Sequence, residues 1–147
     1  MRTSVKSLLA ILSALAILAG CKSEPPITGP RVGYLHFDDG AVTYVEWTPT
    51  GRKLEGQISA LHRKPDGKVK VTIFLFYGKL GSDKVSLTLN SSGNAQDGFQ
   101  SMDKTIIGTL GDDTLTLPPV KGADGEEPLV FRRATPVEFA NATAYLQ

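Results

Sequence analysis

The 147-residue chain contains one cysteine, one tryptophan, two methionines and two histidines. A single cysteine excludes any internal disulfide. With His36 and His62 as the only imidazoles, a metal or acid–base site would need carboxylates from elsewhere, and no HExxH, CxxC or nucleophile-elbow pattern occurs. Charge of either sign is not in excess: 16 Lys plus Arg stand against 15 Asp plus Glu. No broad basic surface is available for a phosphate backbone, so nucleic-acid binding is disfavoured.

What the chain does have is a structured beginning. Arg2 and Lys6 precede SLLAILSALAILAG, an uncharged run suited to a secretory segment and short for a bilayer span. The run ends in Leu18, Ala19, Gly20 and then Cys21, the one cysteine. The quartet LAGC resembles the lipobox of bacterial lipoproteins. That resemblance covers residues 1–21 and implies that Cys21 is joined to a diacylglyceryl group, with residues 1–20 removed as a signal peptide. The alternative is an ordinary signal followed by a free or buried thiol, but a lone exported thiol without a partner is a liability. Several acyl chains anchor far better than one, at about 0.8 kcal/mol per buried methylene. The expected location is the cell envelope, on the extracytoplasmic side: the outer membrane where there are two membranes, since Lys22 replaces the aspartate familiar as an inner-membrane retention signal, or the outer face of the cytoplasmic membrane where there is one.

Cleavage leaves 127 residues (147 less 20), the size of one domain. Arg2 and Lys6 are two of the 16 basic residues, so 14 remain against 15 acidic ones, a net charge of −1. Residues 21–30, the lipidated cysteine followed by KSEPPITGP, read as a proline-rich tether reaching at most about 3 Å per residue. Residues 31–147 form the folded domain.

From Arg31 onward the pattern is short apolar alternation broken by turn residues, which predicts an antiparallel all-β domain. VGYLHF and AVTYVEW flank DDG, a three-residue turn by composition. In LEGQISAL, Leu54, Gly56, Ile58 and Ala60 fall on one face. KPDG precedes KVKVTIFLFY, where Lys68 and Lys70 alternate with valines and read as a solvated strand face. KVSLTLN turns Val85, Leu87 and Leu89 inward, and TIIGTL and DTLTL form a tight hairpin around Gly111 and Asp112. With PLVFRR there are about eight strands, an up-and-down meander forming a curled sheet or small barrel. Gly56 and Gly108 lie inside strands, where glycine permits a sharp bend or close approach; a bulge in an open sandwich is the rival explanation. In TPVEFANATAYLQ, Thr135, Pro136 and Glu138 match a capping box, so a helix should follow. Its expected docking face is Val137, Ala140 and Ala144 with Phe139 and Tyr145 nearby, and its expected seat is the apolar surface of Phe74 and Phe76. The order LEGQI, IIGTLGDDTLTL and LVFRRATPVEFANATAYL, spanning about residues 42–147, is similar to the mature domains of small bacterial envelope lipoproteins, a resemblance that implies a fold and brings no activity.

Candidate chemistry is sparse. His36 and Asp38 would share a strand face, but DDG reads as a turn whose aspartates serve backbone donors. Ser82, Ser86, Ser91, Ser92 and Ser101 lack a supporting motif. GADGEE, residues 122–127, lacks EF-hand spacing. The chain is therefore expected to be non-catalytic and without a cofactor or metal. SSGNAQDGFQSMD, residues 91–103, is long for a hairpin loop and carries Phe99 and Met102. If the sheet closes, these two could cover its mouth while Tyr34, Tyr44 and Trp47 line a small apolar ligand site; the plainer reading is that the aromatics fill the core. The expected role is a membrane-anchored binding or interaction module. Its alternatives are a lipocalin-like or avidin-like carrier and a structural envelope protein touching peptidoglycan or another protein through a sheet edge.

Overall fold

The computed structural model describes residues 26–90, 104–119 and 127–147. The proposed signal segment, Cys21, the first residues of the tether and the 91–103 loop with Phe99 and Met102 lie outside the described residues. Eight strands follow in order: β1 (Val32–Asp38), β2 (Ala41–Thr50), β3 (Lys53–Arg63), β4 (Val69–Leu80), β5 (Lys84–Asn90), β6 (Thr105–Leu110), β7 (Thr114–Leu117) and β8 (Leu129–Arg133). One helix, α1 (Pro136–Ala144), ends the chain. Each strand pairs antiparallel with the next, and β8 returns to β1, so the sheet closes into a barrel.

The turns β2–β3, β4–β5 and β6–β7 gather at one end, and there a single device repeats. The last carbonyl of each turn, on Arg52, Asp83 and Asp113, accepts from the next strand's amide, on Leu80, Leu110 and Arg133, at 2.7, 2.8 and 2.7 Å. Groups that a turn would leave orphaned are thus tied to the neighbouring strand. Residues 26–30 dock at the same end: Thr28 bridges Thr50, Gly29 N–H donates to the Pro49 carbonyl at 2.8 Å, and Gly51 N–H donates to Ile27. At the opposite end β1 and β2 are joined by Asp39 and Gly40 alone, since Asp38 pairs with Ala41, so the DDG turn is one residue tighter than its composition suggests. Gly40 supplies the positive φ of 84° that so short a connection needs.

Alternation along each strand sends one set of side chains inward. Tyr34, Val45, Trp47, Leu54, Ile58, Phe76, Val85, Leu87, Leu115, Leu117 and Phe131 form one buried cluster, filling a barrel whose eight strands leave room for little more. Gly56 lies in this wall where β3 runs close against β2. A β-carbon there would collide with the Glu46 carbonyl oxygen and meet both the Trp47 Cα and the Phe76 ring at 2.8 Å. At Gly108 the added carbon would meet the Leu117 and Leu115 side chains instead.

The β1–β8 closure is short, pairing only Tyr34 with Arg133 and Leu35 with Arg132. Two further bonds extend it: Ala134 N–H donates to the Gly33 carbonyl, and His36 Nδ1–H donates to the Val130 carbonyl at 2.8 Å. The imidazole also packs on Phe131, with centroids 5.4 Å apart.

Helix α1 starts as its sequence predicts. Thr135 Oγ1 accepts from Glu138 N–H while Glu138 Oε2 accepts from Thr135 N–H at 2.8 Å. Its seat differs from the expected one. The helix lies outside β1 and β2, on a second cluster of Leu35, Val42, Tyr44, Ala134 and Leu146 joined by Phe139 and Ala142. Phe74 and Phe76 cannot be its seat because they face the barrel interior. The docking face is corrected as well: Val137, Ala140, Ala144 and Tyr145 are exposed, and Phe139, Ala142 and Leu146 make the contact. Arg63 clamps the end of the helical segment, donating from Nε to the Leu146 carbonyl and from Nη2 to the Tyr145 carbonyl at 3.0 and 2.9 Å. Carbonyls left open at a helix end are good partners for a guanidinium.

Candidate functional site

Of the aromatics expected to line an internal site, two come together. Tyr34 and Trp47 stack inside the barrel with centroids 5.1 Å apart, and the Arg133 guanidinium lies 5.8 Å above the Tyr34 ring. Tyr44 is on the other face of β2, outside the barrel, stacked on Phe139 at 4.6 Å. Tyr44 and Trp47 are three positions apart, an odd offset, so period-two alternation sends them to opposite faces. Burial is the first cause that raises the Tyr44 phenol above its ordinary value, with Glu46 adding to it. Phe99 and Met102 lie outside the described residues.

His36 and Asp38 fall on the same side of β1, as their spacing suggests. His36 spends its Nδ1–H on the Val130 carbonyl, and Asp38 Oδ1 accepts from the Asp39 amide at 2.7 Å. Among the described residues no three His, Cys, Asp or Glu side chains converge.

Two hollows among the described residues lie outside the barrel. One, about 400 Å³, runs between α1 and the β1–β8 wall and is lined by Leu35, Phe37, Arg132, Glu138, Asn141, Ala142 and Tyr145. Glu138 at its edge is held below the usual carboxylate range, chiefly by the Thr135 amide, next by the Thr135 hydroxyl. A carboxylate depressed on folding stabilises above its unfolded pKa, about 4.3 for glutamate, and loses that contribution as pH falls through the lower folded value. Amide exchange in α1, corrected for intrinsic rate, is therefore expected to show more opening on acidification below about pH 4, and Glu138→Gln should flatten that dependence.

The second hollow, about 570 Å³, lies on the wall of β3, β4 and β5, between Lys53, Glu55, Tyr77, Lys79, Ser86 and Thr88. It continues into a feature that strand alternation alone explains. Because Phe74 and Phe76 point inward, Val71, Ile73, Leu75 and Tyr77 must point outward, and they are 57, 43, 50 and 52% exposed. The solvated face expected of Lys68 and Lys70 is thus a valine face: Lys70 shares the side of Phe74 and remains exposed at the barrel mouth. The outward row borders the helix-covered cluster through Leu61, which is paired across from Val71. IFLFY is apolar on both sides, so its composition does not say which set turns outward, and the set opposite to the expected Phe74 and Phe76 does so.

The chain matches no protein-family model, and no curated protein or solved structure is significantly similar to it. Fold and surface define a closed eight-stranded antiparallel barrel with a packed interior, one wall roofed by a helix and another wall apolar and open.

Proposed function

We propose that this protein is a lipid-anchored, extracytoplasmic and non-catalytic interaction module that binds with the outer wall of its barrel and not within it. The supporting observation is the exposed row Val71, Ile73, Leu75 and Tyr77 outside an interior occupied by Trp47, Tyr34, Phe76 and Phe131. Apolar residues aligned on one exposed strand face mark contact surfaces more often than scattered ones do. A closed barrel is also compatible with a lipocalin-like carrier. Here the residues such a carrier would use to line its cavity, Tyr34 and Trp47, stack on each other. Recognition through a sheet edge is disfavoured because the eight strands pair all round.

The resemblance of LAGC, ending at Cys21, to a lipobox supports the anchor. Cys21→Ser is expected to abolish labelling by radioactive palmitate and to shift the protein from the membrane fraction to the soluble one, or to leave residues 1–20 uncut. Unchanged labelling and unchanged membrane association would refute the anchor.

A further inference from the structure

We propose that the open wall of β3–β5 is a lipid-surface contact, and that the barrel lies on its side against a bilayer carrying anionic headgroups. The inference rests on the reading of Cys21 as the anchor, and four observations support it.

The first is the apolar row on β4, whose four side chains stand at every second residue and so extend over about 20 Å of strand. Tyr77, at one end, is the residue type that combines an apolar body with a polar tip at bilayer interfaces. The second is charge. Lys53 sits directly across from Lys79, and Lys79 across from Ser86, two residues from Lys84. Like charges opposed on a sheet face destabilise it. All three lysines are exposed, and no carboxylate of the described residues lies within ion-pair distance of them, Glu55 included, which stands on the same wall across from Tyr77. The hollow is lined by Lys53, Lys79, Tyr77 and Ser86 together with Glu55, and a phosphate headgroup seated on its two-lysine side has acceptor oxygens for both cations.

The third observation is reach. Pro26 to Gly29 is pinned at the β2–β3 turn, at the barrel end that carries Lys53, Lys79 and Lys84. Five residues then lead back to Cys21, at most about 17 Å of extended chain. Strand β4 is two strands from β2, about 10 Å away. An acylated Cys21 and the β4 wall therefore reach one surface together. The fourth is the position of α1, which covers β1 and β2 and leaves the β4 wall free.

The test uses the mature chain, residues 21–147, with Cys21→Ser so that no acyl group contributes, and vesicles of phosphatidylcholine with or without phosphatidylglycerol. Cosedimentation with the phosphatidylglycerol vesicles is expected, weakening with salt and absent with phosphatidylcholine alone. A lysine near such a surface contributes about fivefold in partitioning. Lys53→Glu with Lys79→Glu should therefore lower it at least about 25-fold. Leu75→Ser with Tyr77→Ser should lower it as well, and an unchanged near-ultraviolet signal of Trp47 will confirm the fold of each variant. No binding to the anionic vesicles, or binding that these variants leave intact, overturns the proposal. So does self-association lost with Leu75→Ser and Tyr77→Ser in a chain that ignores vesicles, which would give the wall to a second copy. Because the chain tested is unacylated, any of these failures leaves the anchor standing, and palmitate labelling decides the anchor separately.

Discussion

Gly56→Ala is expected to lower the stability of the barrel by roughly 3 kcal/mol or more, a cost of the size set by overpacking with backbone displacement. The added carbon would collide with the Glu46 carbonyl oxygen and stand 2.8 Å from the Trp47 Cα. These are backbone atoms of β2, paired to β3 along ten residues, so no rotamer change relieves the contact. The two strands must move apart, breaking part of that ladder. Glycine's ordinary penalty in a strand is reversed here, because the close approach and not the propensity decides the outcome. Urea unfolding followed by Trp47 fluorescence would measure the loss. A midpoint within experimental error of the parent's would show that β3 does not approach β2 at Gly56 as closely as described.

Trp47→Ala is expected to cost about 3–5 kcal/mol, the range for a large aromatic removed from a packed core. Trp47 is 3% exposed, stacks on Tyr34 and packs with Val45, Leu54 and Phe76. The measurement separates two roles for the same ring. A ring that fills the core leaves a cavity when removed and takes stability with it. A ring that lines an empty ligand chamber costs little when removed and changes only what binds there. Thermal unfolding by calorimetry of parent and variant, each without added ligand, distinguishes them. A destabilised variant that gains affinity for a small apolar probe such as benzene would further show that the parent barrel has no room of its own.

The meander was legible because alternation and turn chemistry agree along most of the chain. Val85, Leu87 and Leu89 face inward as LTL-type alternation requires, Gly67 takes the positive φ of 82° after KPD, and Thr135 and Glu138 form the capping box. Closure was not legible. It depends on two backbone pairings between β1 and β8, on Ala134 and on the His36 imidazole, contacts between residues nearly a hundred positions apart that leave no local pattern. The helix seat differs from the expected one for a related reason. IFLFY carries enough apolar surface for both faces of β4, which makes it the natural cover site for a nearby amphipathic helix. Leu35, Val42 and Tyr44 instead offer an outward apolar surface beside the end of β8, within reach of a helix that starts at Pro136, three positions after Arg133. The exposed row on β4 was not legible as such: IFLFY is apolar on both sides, the outward face was expected at Phe74 and Phe76, and the opposite set turns out, while the lysine pair beside it emerges only from the register that sets Lys53 against Lys79.

The central claim is that the barrel interior is occupied by its own side chains and that binding takes place on the outside. Native mass spectrometry of the protein purified gently from its own host in a mild detergent tests this most directly. The predicted result is the mass of the chain alone, with the acyl groups of the proposed anchor and nothing else. A small molecule retained in stoichiometric amount inside the fold, and released only on unfolding, would contradict it.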